Sequence, residues 1–128
     1  MLLLTSLALV GAITFTSSCK KKDTDSSAPT LVIDEPVAGE TVTVGDSLHI
    51  EGTVTDASLH ELNIKVTKNS NGATVFNSDP VVHDLTTYFF HAHYAPVLSD
   101  TGACTVTVTV ADHSENITKK TVAVTVLP

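Results

Sequence analysis

A chain of 128 residues has room for one domain rather than two, and its 14 acidic side chains face only 7 basic ones, all of them lysines. A net charge of −7 with no arginine argues against nucleic-acid binding, which needs clustered cations for the phosphates. Thr, Val and Ile supply 42 of the 128 residues, which excludes a helical bundle or a disordered chain and points to strands.

Residues 2–15 are an uncharged apolar run, too short for a spanning helix and suited to the h-region of a signal peptide. Thr16, Ser17 and Ser18 lead to Cys19, an arrangement that resembles a bacterial lipobox. The resemblance implies cleavage before Cys19 and acylation of its sulfur and amino terminus. Each buried CH₂ then contributes about 0.8 kcal/mol to anchoring. No lysine precedes the apolar run, so either the true start lies upstream or the signal is atypical. Residues 19–29 read as a lipidated cysteine and a flexible linker that ends at Pro29. Within it Lys20, Lys21 and Lys22 either rest against anionic headgroups or simply keep the linker solvated. A charged run directly after the cysteine resembles lipoproteins of the Bacteroidetes, and Lys20 rather than Asp in that place implies outer-membrane delivery.

From residue 30 to 128 short alternating segments are separated by turn signals. The spacing predicts strands over 30–34, 41–44, 47–55, 61–68, 73–77, 86–94, 103–111 and 121–126. Leu48, Ile50, Gly52 and Val54 share one face of their strand, as do Leu62, Ile64 and Val66 of the next. Tyr88, Phe90, Ala92 and Tyr94 form such a face, and so do Cys104, Val106, Val108 and Val110. One buried face per strand is the pattern of antiparallel sheets, and 7–8 such strands predict an immunoglobulin-like antiparallel β-sandwich. Cys104 has no partner once Cys19 carries lipid, and its place in a strand predicts burial.

The stretch from Gly102 through Cys104 to Asp112-His113-Ser114-Glu115-Asn116 resembles the penultimate strand of bacterial Ig-like and cadherin-like repeats. Those repeats place a tyrosine where Cys104 stands and a glycine where Glu115 stands. The resemblance therefore implies a missing tyrosine-corner hydrogen bond and a turn without its positive-φ residue. Together with Glu35-Pro36, Gly45-Asp46-Ser47-Leu48 and Phe90-His91-Ala92-His93, it resembles the DUF4625 family. These are small Bacteroidetes lipoproteins with an Ig-like domain and no established activity.

Six histidines are many for such a domain. His91 and His93, at i and i+2, project from one face about 7 Å apart at Cα. In Ig-like topology their strand pairs with the strand carrying His49. His49, His91 and His93 are therefore a candidate three-nitrogen site for Zn²⁺ or Cu²⁺, with Glu51 two residues along. The alternatives are a His-rich polar face that binds nothing, or a register that buries both imidazoles. His60, His83 and His113 fall near strand ends or in loops and are expected to be solvated. Asp56, Asp112 and Glu115 fall in loops that share one end of a sandwich, where a cadherin-like Ca²⁺ site is conceivable and a solvated acidic rim is the better reading. No nucleophile elbow, zincin helix, phosphate loop or dinucleotide turn is present in the sequence, and no enzyme is expected. The expected role is a non-catalytic binding or structural module, lipid-anchored at the outer membrane and facing either the periplasm or the surface. Its partner would be a protein or glycan, and the alternative role is metal binding.

Overall fold

A computed structural model describes residues 25–128; the segment 1–18 read as a signal peptide, Cys19 and Lys20, Lys21 and Lys22 lie outside the described residues. Eight strands follow in order: β1 (Thr30–Glu35), β2 (Glu40–Thr43), β3 (Leu48–Thr55), β4 (Leu59–Lys68), β5 (Thr74–Ser78), β6 (Thr87–Tyr94), β7 (Gly102–Asp112) and β8 (Ile117–Leu127). One sheet has the order β1-β3-β6 and the other β2-β8-β7-β4-β5. All pairs are antiparallel except β2 with β8. The chain crosses between sheets directly after β1, where Pro36 stops the first ladder. Gly39, at φ +82°, then turns it onto β8 through a 2.8 Å bond from its N–H to the Ala123 carbonyl. Two facing sheets whose first strand is divided between them form the expected immunoglobulin-like sandwich.

The alternating faces close on one another as their spacing predicts. Leu48, Ile50 and Val54 meet Leu62, Ile64 and Val66 from the opposing sheet, with Phe90, Val106, Val108 and Val110, all at most 2% exposed. Cys104 is fully buried, and its thiol points at the Asp100 carbonyl.

The connection from β6 to β7 is held by a different residue from the one the family resemblance implies. Tyr94, the last residue of β6, donates its hydroxyl to Asp100 Oδ2 at 2.7 Å, and the same oxygen accepts the Val97 N–H at 3.0 Å. A buried bond to an ionised acceptor is worth more than a neutral one. It replaces the corner that Cys104 cannot make.

Burial pushes the Tyr94 phenol above its ordinary 10.0, and the hydrogen bond and charge of Asp100 push it the same way. Burial also raises the Cys104 thiol above 9.0, with Asp100 adding to it and Lys68 opposing. The folded chain thus holds both protons more tightly than the unfolded chain does. Their contribution to stability is complete below the unfolded values of 9.0 and 10.0 and is lost as the pH climbs through the raised folded ones. These two groups add no slope to the urea midpoints between about pH 6 and 8.5, and the midpoints are expected to fall above it. Tyr94→Phe is expected to cost about 1–3 kcal/mol and to remove the upper part of that fall. A flat alkaline limb in the wild type would contradict this account.

The ends of several elements differ from the sequence-based expectation. β4 starts at Leu59 rather than residue 61, because Leu59 is fully buried and the pairing with β7 shifts register between Leu59 and Glu61. β8 starts at Ile117 rather than residue 121, since Thr118, Lys119 and Lys120 pair with Val110, Thr109 and Val108, with Thr118 half-buried and the two lysines exposed. The β7–β8 turn does have a positive-φ residue, because Glu115 itself adopts φ +65°. Asp112, 2% exposed, holds that turn by accepting the Ser114 N–H, the Asn116 N–H and the Asn116 side-chain amide at 2.8–2.9 Å. Burial by itself would raise the Asp112 carboxyl, but the bonds from Asn116 and Ser114 outweigh it and hold the group below 3.8.

The linker, expected to be flexible through Pro29, is tied down from Asp25 onward. Asn116 Nδ2 donates to the Asp25 and Ser27 carbonyls, and the Thr118 hydroxyl donates to that of Pro29. These donors lie in the far turn and in β8, so a reading of local composition misses them.

Candidate metal centre

β3 and β6 pair in strict antiparallel register, which places His49 directly opposite His93 and Glu51 directly opposite His91. Because side chains alternate across a strand, these four residues project from the outer face while Ile50 and Ala92 turn inward. The imidazoles of His49, His91 and His93 therefore form a triangle, with ring centroids 4.4, 4.4 and 5.6 Å apart. One nitrogen from each ring lies within 4.8 Å of the others. The three histidines singled out in the sequence are brought together, outside the core and open to solvent.

Carboxylates complete the array. Glu51 Oε1 lies 2.7 Å from His91 Nε2 and 3.6 Å from His49 Nδ1. Glu35, the β1 partner of Glu51, forms a further potential ligand group with His49 and Glu51. Three imidazoles and a carboxylate match the donor preference of Zn²⁺ and Cu²⁺. A zinc–nitrogen bond of about 2.0–2.1 Å requires tetrahedral ligand atoms about 3.3 Å apart, so modest ring rotations close this site. Glu51 supplies either a fourth ligand or the acceptor that orients His91.

The other candidates fare differently. His60, His83 and His113 are exposed, as expected, and they also converge with one nitrogen each within 4.8 Å. They come from β4, the β5–β6 connection and the β7–β8 turn, so only the assembled fold brings them together. Of the acidic residues considered for Ca²⁺, Asp56 and Asp112 do meet, with Asp25 as the third member in place of Glu115. Their oxygens are already used by local N–H groups: Ser27 on Asp25, Ser58 on Asp56, and Ser114 and Asn116 on Asp112. This cluster caps turns and ties the 25–29 segment to the domain.

No family model matches the chain, and no curated protein matches it. Among solved structures, an engineered protein is similar at a TM-score of 0.58 and 19% identity, over 78% of this chain and 20% of the other. The chain thus spans about one-fifth of that protein's length. The fibronectin(III)-like modules of Clostridium thermocellum CbhA are similar at a TM-score of 0.52 and 17% identity, over 77% of this chain and 96% of theirs. Identities this low speak for the fold alone: an Ig-like, fibronectin-type β-sandwich module.

Proposed function

We propose that the chain is a non-catalytic Ig-like module, lipid-anchored at the outer membrane, whose exposed β3–β6 face binds Zn²⁺ or Cu²⁺. The observation that carries the metal reading is the convergence of His49, His91 and His93 within 4.8 Å beside Glu51. Chance placement of surface histidines does not require two strands to present three imidazoles and a carboxylate in register. The surrounding charge favours a cation, since from Pro29 onward 4 lysines face 12 acidic residues. The run ending at Cys19 and the resemblance to DUF4625 lipoproteins support the anchor.

Calorimetric titration of the tag-free full-length chain with Zn²⁺ and Cu²⁺ tests the site. Saturable binding tighter than about 10 μM is expected. The His91→Ala/His93→Ala variant is expected to lose one equivalent. A variant that takes up as much metal as the wild type would remove this reading. For the anchor, Cys19→Ala is expected to abolish the acyl mass increment and release the protein from membranes; retention with unchanged mass would contradict it.

A further inference from the structure

We infer that His60, His83 and His113, with Asp84 behind them, form a second transition-metal site at the other end of the sandwich. His49 lies near the start of β3, whereas this trio gathers about the segment that follows its end, about 20 Å farther along the strand.

The site is held by the backbone. Leu59, fully buried beside His60, accepts the Asp84 N–H at 2.9 Å and donates its own N–H to the Leu85 carbonyl at 2.9 Å. Val82, 1% exposed, plugs the core next to His83, and a Leu85 N–H bond to its carbonyl closes the loop. On the other side the His113 N–H donates to the Ser58 carbonyl at 3.1 Å. The segments carrying His83 and His113 are thus pinned to Ser58 and Leu59, next to His60, and the three deliver one imidazole each to the same place. Ring centroids lie 4.5, 4.6 and 5.3 Å apart.

One carboxylate holds Nε2 of two of the rings. Asp84 binds His113 Nε2 through one oxygen at 2.9 Å and reaches His83 Nε2 with the other at 3.3 Å. That leaves Nδ1 of both rings for an ion, in the carboxylate–histidine–metal arrangement that fixes tautomer and orientation. His83 Nδ1 already lies 3.2 Å from His60 Nδ1. A tetrahedral zinc site with bonds of about 2.0–2.1 Å needs about 3.3 Å between ligand atoms. Asp84 itself stands at φ +63°, in the left-handed region that Asp and Asn enter more readily than other residues with side chains. That backbone puts its carboxylate between two imidazoles. His60 and His83 also line a cleft of about 510 Å³, which leaves the remaining coordination positions of the ion open to water or a small ligand.

The test removes the first site to expose the second. Zn²⁺ is titrated calorimetrically into the full-length His91→Ala/His93→Ala variant, where one equivalent is expected to remain. Adding His83→Ala is expected to weaken that binding by at least about 10-fold, and Asp84→Asn, which tolerates the positive φ, by about 10-fold. Metal-free melting curves of all variants are expected to coincide with the parent, which separates lost ligation from lost folding. No zinc binding by the His91→Ala/His93→Ala variant, or binding indifferent to His83→Ala, would overturn the inference. The two sites fail distinguishably. If only the β3–β6 site is absent, wild type and His91→Ala/His93→Ala bind one equivalent alike, and His83→Ala removes it from both.

Discussion

Gly52→Ala is expected to lower the unfolding free energy by about 3 kcal/mol or more, a large part of the 5–15 kcal/mol typical of a domain. Gly52 is in the middle of β3, flanked by Ile33 on β1 and Phe90 on β6. It belongs to the inward face defined by Leu48, Ile50 and Val54, yet it contributes no side chain. The space is filled by Phe90, only 1% exposed. A methyl group at residue 52 would collide with the Phe90 ring and with the carbonyl oxygen of Val32. The ring has some freedom to turn, but the carbonyl is part of β1 and moves only if the strand does. A second change, Phe90→Leu, is therefore expected to recover only part of the loss. Thr53→Ala, one residue along and facing outward, is expected to cost less than about 1 kcal/mol. Urea midpoints of the four proteins measure these differences. A Gly52→Ala midpoint close to that of the wild type would show that β1, β3 and β6 do not pack as described.

The second large effect concerns His49. His49→Ala is expected to weaken Zn²⁺ binding at the β3–β6 face by at least about 100-fold, beyond the effect of removing an outer-shell partner. His91 and His93 stand on the same strand and would remain as an isolated His-x-His pair. His49 alone comes from β3, and its ring lies 4.4 Å from that of His93. A site formed by the pair alone would be indifferent to its loss. Glu51→Gln, which keeps an acceptor 2.7 Å from His91 Nε2 but removes the charge, is expected to cost about 10-fold. The readout is the affinity of the site that His91→Ala/His93→Ala removes. Equal affinity in His49→Ala and wild type would reduce the proposed centre to a surface pair.

The legible parts of this molecule are those governed by local periodicity. Ile64, Val66, Val106 and Val108 are recognisable as core because every second residue of a half-buried strand turns inward. The His49–His93 pairing was legible at one remove. It followed once the alternation had suggested a sandwich whose topology joins those strands. Polar strand ends are not legible: Thr118, Lys119 and Lys120 fall outside the strand the alternation predicts, and only their pairing with β7 makes them part of one. Val82 was hidden because a single buried apolar residue in a connection has no period. The same reason concealed the second histidine cluster. His60, His83 and His113 are separated by more than twenty residues each, and they meet through backbone bonds to Ser58 and Leu59 that no local pattern announces. Glu115 is a related case. A glutamate at this turn leaves it in place because the Asp112 carboxylate binds the N–H groups of Ser114 and Asn116 around it.

The most direct test of the metal reading is anomalous diffraction at the zinc edge from crystals of the zinc-loaded protein. A peak bonded to one nitrogen each of His49, His91 and His93, at about 2.0–2.1 Å, is the predicted result. A zinc-loaded structure with no peak between these rings, or with the three imidazoles turned apart, would contradict it.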